Sequence, residues 1–424
     1  MSARQLADDC FAQDRPLLPA ADALAHLRAA ARPVTGVETV PLDDALGRVL
    51  ADDVIAARAV PPRDNAAVDG YAVYHGDLAP AGPTVLPVGG RVAAGDHLGR
   101  DQRRGEAIRI FTGAAMPTGP GGGPDTVFMQ EDVDLTGDLV RLPAGIKPGA
   151  NRRFAGEDIA AGARVLTAGQ TLRAQELGVL ASLGQAEVAV RERLSVAVFS
   201  TGDELSQPGA PAGDGMIYDS NRAVIAAMLR TAGCAVADLG ILPDDHDQVR
   251  AALAAAAETH DAVITSGGVS AGEEDHVKAA VAQAGQVHLW RIAIKPGRPL
   301  ALGQIGRVPF IGLPGNPVAV MVTFIRFARP FLRRLAGAPW VEPQFYPLPA
   351  DFDFEKKAGR REYLRVAVAA GVDGRSVLRH VPGSGSGILT TMVAATGLVE
   401  LDDATTRIVA GDSLDYLPFT EVLS

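Results

Sequence analysis

Between residues 194 and 335, short, largely apolar runs rich in Val, Ile and Ala alternate with helix-length segments, and each run stops in a turn rich in Gly, Pro or charge. A run of this kind reads as a strand buried on both faces, and the alternation predicts a doubly wound α/β sheet. Run 196–199 leads into Ser200-Thr201-Gly202-Asp203-Glu204-Leu205, then a helix over 222–231 with Asn221 as its N-cap. Run 235–239 leads to Leu242-Pro243-Asp244-Asp245 and a helix over 248–258. Run 261–265 leads to Ser266-Gly267-Gly268, an acidic loop, and a helix over 276–284 with Asp275 as its N-cap. Run 287–294 leads to Lys295-Pro296-Gly297-Arg298-Pro299. Run 308–311 leads to Gly312-Leu313-Pro314-Gly315-Asn316-Pro317 and a long helix, with Asn316 as N-cap and Pro317 at its first position.

Ligands of such sheets bind beyond the carboxyl ends of the strands. Five of those ends converge here, and around them stand the carboxylates Glu204, Asp244 and Asp275 with the cations Lys295 and Arg298. A phosphorylated ligand held through Mg²⁺ suits that mixture. A salt-bridge network is the competing explanation. The adjacent Gly267 and Gly268 let backbone amides approach a ligand, or form a plain tight turn.

A chain of 424 residues needs several domains, and 47% hydrophobic content supplies their cores. The net charge of -10 argues against a general nucleic-acid binder, so an anionic ligand needs a local basic cluster. Cys10 and Cys234 alone make neither a disulfide framework nor a cysteine-rich metal site. The N-terminus shows no apolar signal segment, and Pro and Gly interrupt the long uncharged stretch 308–325. A soluble cytoplasmic protein that spans no membrane is expected.

The flanks read differently. A helix over 20–31, a strand over 37–42, a short helix over 43–50 and a helix over 171–183 frame an α+β region spanning 17–193. Inside it, at about 61–145, short strands separated by Gly and Pro form an inserted β module. Asp64, Asp69 and Thr112 lie in its turns. The α/β domain is placed at 194–341, and 342–424 reads as all-β. There Arg360, Arg361 and Arg365 crowd one strand, and Gly383-Ser384-Gly385-Ser386-Gly387 forms a loop rich in hydroxyls and amides. Arginine with hydroxyls grips a tetrahedral oxyanion, and a solvated strand face with a flexible turn explains the pattern equally.

Seven motifs carry a resemblance in combination: Asp69-Gly70-Tyr71-Ala72, Gly156-Glu157-Asp158-Ile159, Ser200-Thr201-Gly202-Asp203-Glu204-Leu205, Asp219-Ser220-Asn221, Ser266-Gly267-Gly268-Val269-Ser270, Lys295-Pro296-Gly297 and Leu313-Pro314-Gly315-Asn316-Pro317. From about residue 17 to its end, the chain resembles the molybdopterin molybdenumtransferase family, the molybdenum insertases related to the gephyrin E-domain. The resemblance implies a multidomain α/β fold: a doubly wound three-layer α/β domain that binds molybdopterin, an N-terminal α+β region with its inserted β module, and a C-terminal β-barrel-like domain. It implies an elongated homodimer whose site lies between the α/β domain of one subunit and the β module of the other. The implied reaction takes adenylylated molybdopterin and molybdate, releases AMP in the presence of Mg²⁺, and leaves molybdenum on the dithiolene. Molybdopterin adenylyltransferase and molybdoenzyme chaperones are implied partners.

By resemblance, Asp69, Asp158, Glu204, Asp275 and Lys295 are catalytic, with Asp275 and Glu204 at the metal. Thr112, Asp219, Ser220, Asn221, Asp244, Ser266, Gly267, Gly268, Arg291, Arg298, Pro314 and Pro317 bind substrate. Arg360 and Ser386 bind molybdate. The chain departs from the family pattern in four places. Arg291 and Arg298 stand where lysine is frequent, Gly-Ser-Gly-Ser replaces a glutamine-containing loop, and a glycine-rich insert occupies 119–123. Since the substrate brings its own thiolates, no Ser/His/Asp triad is needed, and the scattered histidines read as surface or packing residues. Three rivals remain at this level: a molybdopterin adenylyltransferase sharing the α/β domain, a gephyrin-like scaffold, and a nucleotide-cleaving protein with the same domain.

Overall fold

The computed structural model describes residues 17–268, 276–383 and 385–423. Strands Ala235–Leu242, Ser195–Thr201, Ala262–Ser266 and Val308–Leu313 lie side by side in parallel. Pro299–Ile305 and Gly285–Arg291 extend the same sheet antiparallel. Strand residues alternate between two cores. Val196, Val198, Ile264 and Ile311 pack with helices Ser220–Thr231 and Pro317–Thr323. Ala197, Phe199, Val263 and Phe310 pack with helices His246–Thr259 and His276–Ala284. Burial on both faces is why the inner strands Ser195–Thr201, Ala262–Ser266 and Val308–Leu313 carry uncharged, mostly apolar sequence, whereas the edge strand Ala235–Leu242 is only partly covered and admits Asp238. The first core also takes Ala23 and Leu27 from helix Ala20–Ala30, so that helix packs on the α/β domain although in the chain it opens the N-terminal region.

Three sequence expectations in this domain are corrected. The run at 287–294 is not one strand. Gly285–Arg291 pairs with Pro299–Ile305, a strand the leading proline had concealed, while Ile294–Lys295 leaves the sheet and pairs with Arg361 and Glu362 of the C-terminal domain. The helix expected at 222 begins at Ser220, and its cap is Asp219, whose carboxylate accepts from the Arg222 amide at 3.1 Å. Asn316 precedes its helix as expected and Pro317 opens it, but the Asn316 side chain makes no capping bond.

In the N-terminal region, Val37–Pro41 pairs antiparallel with Glu187–Arg191. The helix expected over 43–50 is only a turn at Leu42–Asp44, because Gly47 takes φ +74° and Val49 and Leu50 enter β-bridges. The module forms one six-stranded sheet running from Thr126–Met129 through Gly70–Val73, Ala107–Ile110, Thr84–Val92 and Leu139–Leu142 to Asp134–Thr136.

The C-terminal sheet orders Ile294–Lys295, Arg361–Ala370, Gly397–Leu401, Ser413–Pro418 and Tyr346–Pro349, with Ser376–His380 also paired to Arg361–Ala370. A bridge between Ala350 and Leu378 draws the two ends together, so the sheet curls round a core of Leu364, Val366, Leu378 and Val399. The region is not all-β: helix Thr390–Ala394 interrupts it. Among the described residues no helix is long and apolar enough to cross a membrane.

Candidate functional site

A cleft of about 730 Å³ lies where the carboxyl ends of the parallel strands meet the curled C-terminal sheet. The α/β domain gives it Glu204, Lys295, Arg298 and the Pro314 turn. The C-terminal domain gives it Arg360, Glu362, Arg365, His380 and Ser386. Two backbone links lock these walls together. Arg361 donates its amide to the Ala293 carbonyl at 2.8 Å, and Val318, in the first turn of its helix, donates to the Ser386 carbonyl at 3.0 Å. The second link seats Ser386 on that helix's N-terminus.

Local sequence explains the shape of the mouth. Gly297 has φ +101°, and a Cβ there would stand 2.6 Å from Thr323 Cγ2, so only glycine lets the Lys295 loop lie on the following helix. Gly267 and Gly268 have φ +88° and +62°. Added Cβ atoms would stand 2.9 Å from the Thr201 carbonyl oxygen and 2.4 Å from Val277 Cγ2. Packing alone therefore requires both glycines. The Ser266 hydroxyl is buried, accepting from Asn221 Nδ2 at 2.9 Å and lying 3.2 Å from the Pro314 carbonyl, to which it donates. Asn221 Nδ2 also donates to the Gly315 carbonyl at 2.6 Å. One amide thus pins the turns after two adjacent strands.

The charged lining consists of four cations, Lys295, Arg298, Arg360 and Arg365, against two carboxylates, Glu204 and Glu362. Lys295 Nζ donates to Glu362 Oε1 at 2.6 Å, with the Glu362 side chain 4% exposed. Arg365 is buried and donates to the Gly383 carbonyl, and burial holds its guanidinium below the usual range. Arg361 turns away from the cleft: it donates to Glu400 at 2.7 Å, and Arg326 holds the other oxygen of that carboxylate at 2.9 Å. Of the three crowded arginines, Arg360 and Arg365 face the cleft and Arg361 is structural.

The remaining expected residues divide clearly. Asp219 is wholly engaged as a cap and in a 2.9 Å ion pair with buried Arg222, which also meets Asp238 and Gln207. Ser220 is exposed on the first turn of that helix. Arg291 is exposed at a strand end opposite Pro299, and Asp244 follows strand Ala235–Leu242; neither lines the cleft. Pro314 is buried in the cleft wall, with Pro317 just behind it at the helix start. Asp275 lies outside the described residues. Among the described residues no group of three His, Cys, Asp or Glu forms a metal cluster.

Asp69 and Thr112 are joined within the module, the Thr112 amide and hydroxyl donating to Asp69 Oδ1 at 2.8 and 2.7 Å. Those bonds hold the Asp69 carboxyl below its ordinary range. Asp158 lines a separate groove of about 460 Å³ with Asn65 and Arg153. None of the three lines the large cleft of its own chain.

Sequence reasoning missed Glu362 and His380. Glu362 was visible as the lone acid among three arginines of one strand start. His380 packs on Phe352 and Phe354, as the packing reading of histidines expects, yet its other side faces the cleft. Burial first, and Arg365 second, hold its pKa below the ordinary value.

Three stretches match family profiles: "MoeA N-terminal region (domain I and II)" over residues 18–184, "Probable molybdopterin binding domain" over 197–334, and "MoeA C-terminal region (domain IV)" over 347–419. The chain is 39% identical over 394 residues to the molybdopterin molybdenumtransferase of Haemophilus influenzae, covering 92% of this chain and 95% of that protein. It is 35% identical to the protein of the same name from Nostoc sp., covering 88% and 87%. The solved structure of the molybdopterin biosynthesis moeA protein from Pyrococcus horikoshii superposes with a TM-score of 0.82 at 29% identity, covering 95% of this chain and 100% of that one.

Proposed function

The chain belongs to the molybdopterin molybdenumtransferase family and is an enzyme of molybdenum cofactor biosynthesis, and from that premise we propose that it inserts molybdate into adenylylated molybdopterin with release of AMP. One observation carries the reading. A chain of net charge -10 gathers four cations in one cleft, two on each wall, which suits a ligand bearing both a pyrophosphate and an oxyanion. The cleft also has two different walls, one for each end of such a reaction.

In this reading Lys295 and Arg298 hold the phosphates from the α/β side, while Arg360 and Ser386 grip molybdate from the C-terminal side. Ser266, Gly267, Gly268, Asn221, Pro314 and Pro317 shape the floor, and Asp219, Ser220, Asp244 and Arg291 form its surroundings. Mg²⁺ takes hard oxygen donors, usually one or two carboxylates together with substrate phosphates. Glu204, exposed at the cleft, has the chemistry for such a ligand, and Asp275 is its proposed companion. When bound, Mg²⁺ neutralises charge on the phosphates. The protein's own contribution is orientation and fixed positive charge, since the substrate sulfurs provide the bonds to molybdenum.

Asp69, Thr112 and Asp158 need a second copy to reach this cleft, so the reading includes a homodimer in which each β module completes the other subunit's site. It also includes the doubly wound three-layer central domain and barrel-like C-terminal domain, a cytoplasmic location, and docking to molybdopterin adenylyltransferase and molybdoenzyme chaperones. An adenylyltransferase sharing only the α/β domain would lack the wall carrying Arg360, Glu362 and Ser386.

The test is AMP release and transferable cofactor formed from adenylylated molybdopterin, with and without molybdate and Mg²⁺. Dependence of the cofactor yield on both supports the reading. Equal AMP release without either, or none from a folded dimer, sinks it.

A further inference from the structure

Glu362 is an acid placed where an anion site wants none. It stands on the strand between Arg361 and Arg365, its side chain is nearly buried, and Oε2 has no hydrogen-bond partner among the described residues. A buried carboxylate left half satisfied is costly, so its retention needs a reason. The backbone supplies one. Ile294–Lys295 lies parallel to Arg361 and Glu362 with Lys295 directly opposite Glu362, so the ladder that joins the two domains also sets the ion pair. Lys295 would otherwise carry a compact charge on a flexible stem. Fixed at 2.6 Å from Glu362, its ammonium has one place on the cleft wall. The same carboxylate favours the protonated forms of neighbouring Arg365, Lys356 and His380 while its own charge offsets theirs in the field of the cleft.

We propose that Glu362 is a positioning residue for the insertion reaction: it orients the Lys295 ammonium and lowers the cleft's grip on free oxyanions, giving up anion affinity for a productive arrangement. This inference rests on the functional reading above. It separates two quantities that a purely structural role would move together. Removing the negative charge strengthens oxyanion binding, while loss of the fixed ammonium slows turnover.

The experiment uses the full-length wild type, Glu362→Ala and Glu362→Gln, with inorganic molybdate affinity measured by titration calorimetry and turnover by AMP release. Glu362→Ala is expected to bind molybdate about three- to tenfold more tightly and to lose at least about tenfold in kcat. Glu362→Gln, which keeps an acceptor for Lys295, is expected to gain similar affinity and to lose less kcat. Affinity and kcat falling together, or neither changing, overturns the proposal. Should the alanine variant fail to fold, the isosteric glutamine variant decides alone. Absence of turnover in the wild type counts against the functional reading instead, and the molybdate affinities of the three proteins still decide the role of Glu362.

Discussion

The side-chain amide of Asn221 donates to the Ser266 hydroxyl at 2.9 Å and to the Gly315 carbonyl at 2.6 Å, tying a helix start to the turns after two neighbouring parallel strands. The three segments meet at the ligand end of the sheet. Asn221→Ala leaves a buried hydroxyl and a carbonyl short of a donor. The expected cost is about 1–3 kcal/mol of unfolding free energy, measured as a lower urea midpoint at unchanged slope. Because the Pro314 turn loses its tether, KM for adenylylated molybdopterin should rise more than kcat falls.

Gly268 tests how much of the demand for glycine in the Gly-Gly turn comes from its neighbours and how much from its backbone conformation. Its φ of +62° disfavours any Cβ, and that Cβ would meet Val277 Cγ2 at 2.4 Å. Gly268→Ala should destabilise the protein by about 2 kcal/mol or more, from backbone strain and overpacking together. Pairing it with Val277→Ala removes the Cγ2 contact and leaves the strain and a 2.8 Å approach to Thr201 Oγ1. Partial recovery of the melting temperature is therefore expected in the double variant. No recovery would mean that the positive φ and the Thr201 hydroxyl, not Val277, demand glycine.

The two adjacent arginines of the C-terminal strand predict opposite phenotypes. Arg361 shares Glu400 with buried Arg326, and its removal leaves a buried cluster one cation short. Arg361→Ala should cost about 1–3 kcal/mol of stability, the scale of a lost hydrogen bond to a charged group, with most of the specific activity of the folded fraction retained. Arg360 faces the cleft, so Arg360→Ala should leave the urea midpoint nearly unchanged and weaken molybdate binding by at least about tenfold, the scale of one lost charge-assisted contact. An exchange of the two phenotypes would refute this assignment of the arginines.

The α/β strands were legible in the sequence because burial on both faces removes polar residues from the run itself, as in Val196 to Phe199. The convergence of their ends followed from topology, and that is where the cleft lies. What escaped was set by pairing between distant segments. Nothing within 287–294 shows that the chain leaves one sheet after Arg291 and joins another at Ile294, since the partner strand lies some seventy residues on. Asp219 and Asn221 are both good N-caps by type. Arg222 breaks the tie, because its buried guanidinium needs the Asp219 carboxylate. Glu362 was hidden by its neighbours: three arginines drew the reading toward an anion, and the acid between them gained meaning only once Lys295 lay opposite.

Acid sensitivity should have a local origin in the N-terminal region. Glu176 accepts from the Arg173 amide at 2.9 Å and from its guanidinium at 2.6 Å, closing the first turn of helix Ala174–Ser182. The Arg173 side chain first, supported by that amide, pulls the Glu176 carboxyl from the usual 4.5 down to about 2 against the opposing effect of burial. A carboxyl depressed in the folded state adds stability above its unfolded pKa, and that stability is lost as pH falls through the folded value. The window is therefore pH 4.5 down to about 2. Since Arg173 is 67% exposed, solvent screens the pair, and the contribution should be held to about 1 kcal/mol. Glu176→Gln should lower the urea midpoint at pH 7 and flatten its decline across that window, so that wild type and variant converge near pH 2. Parallel pH curves for the two proteins would show that the acid response arises elsewhere.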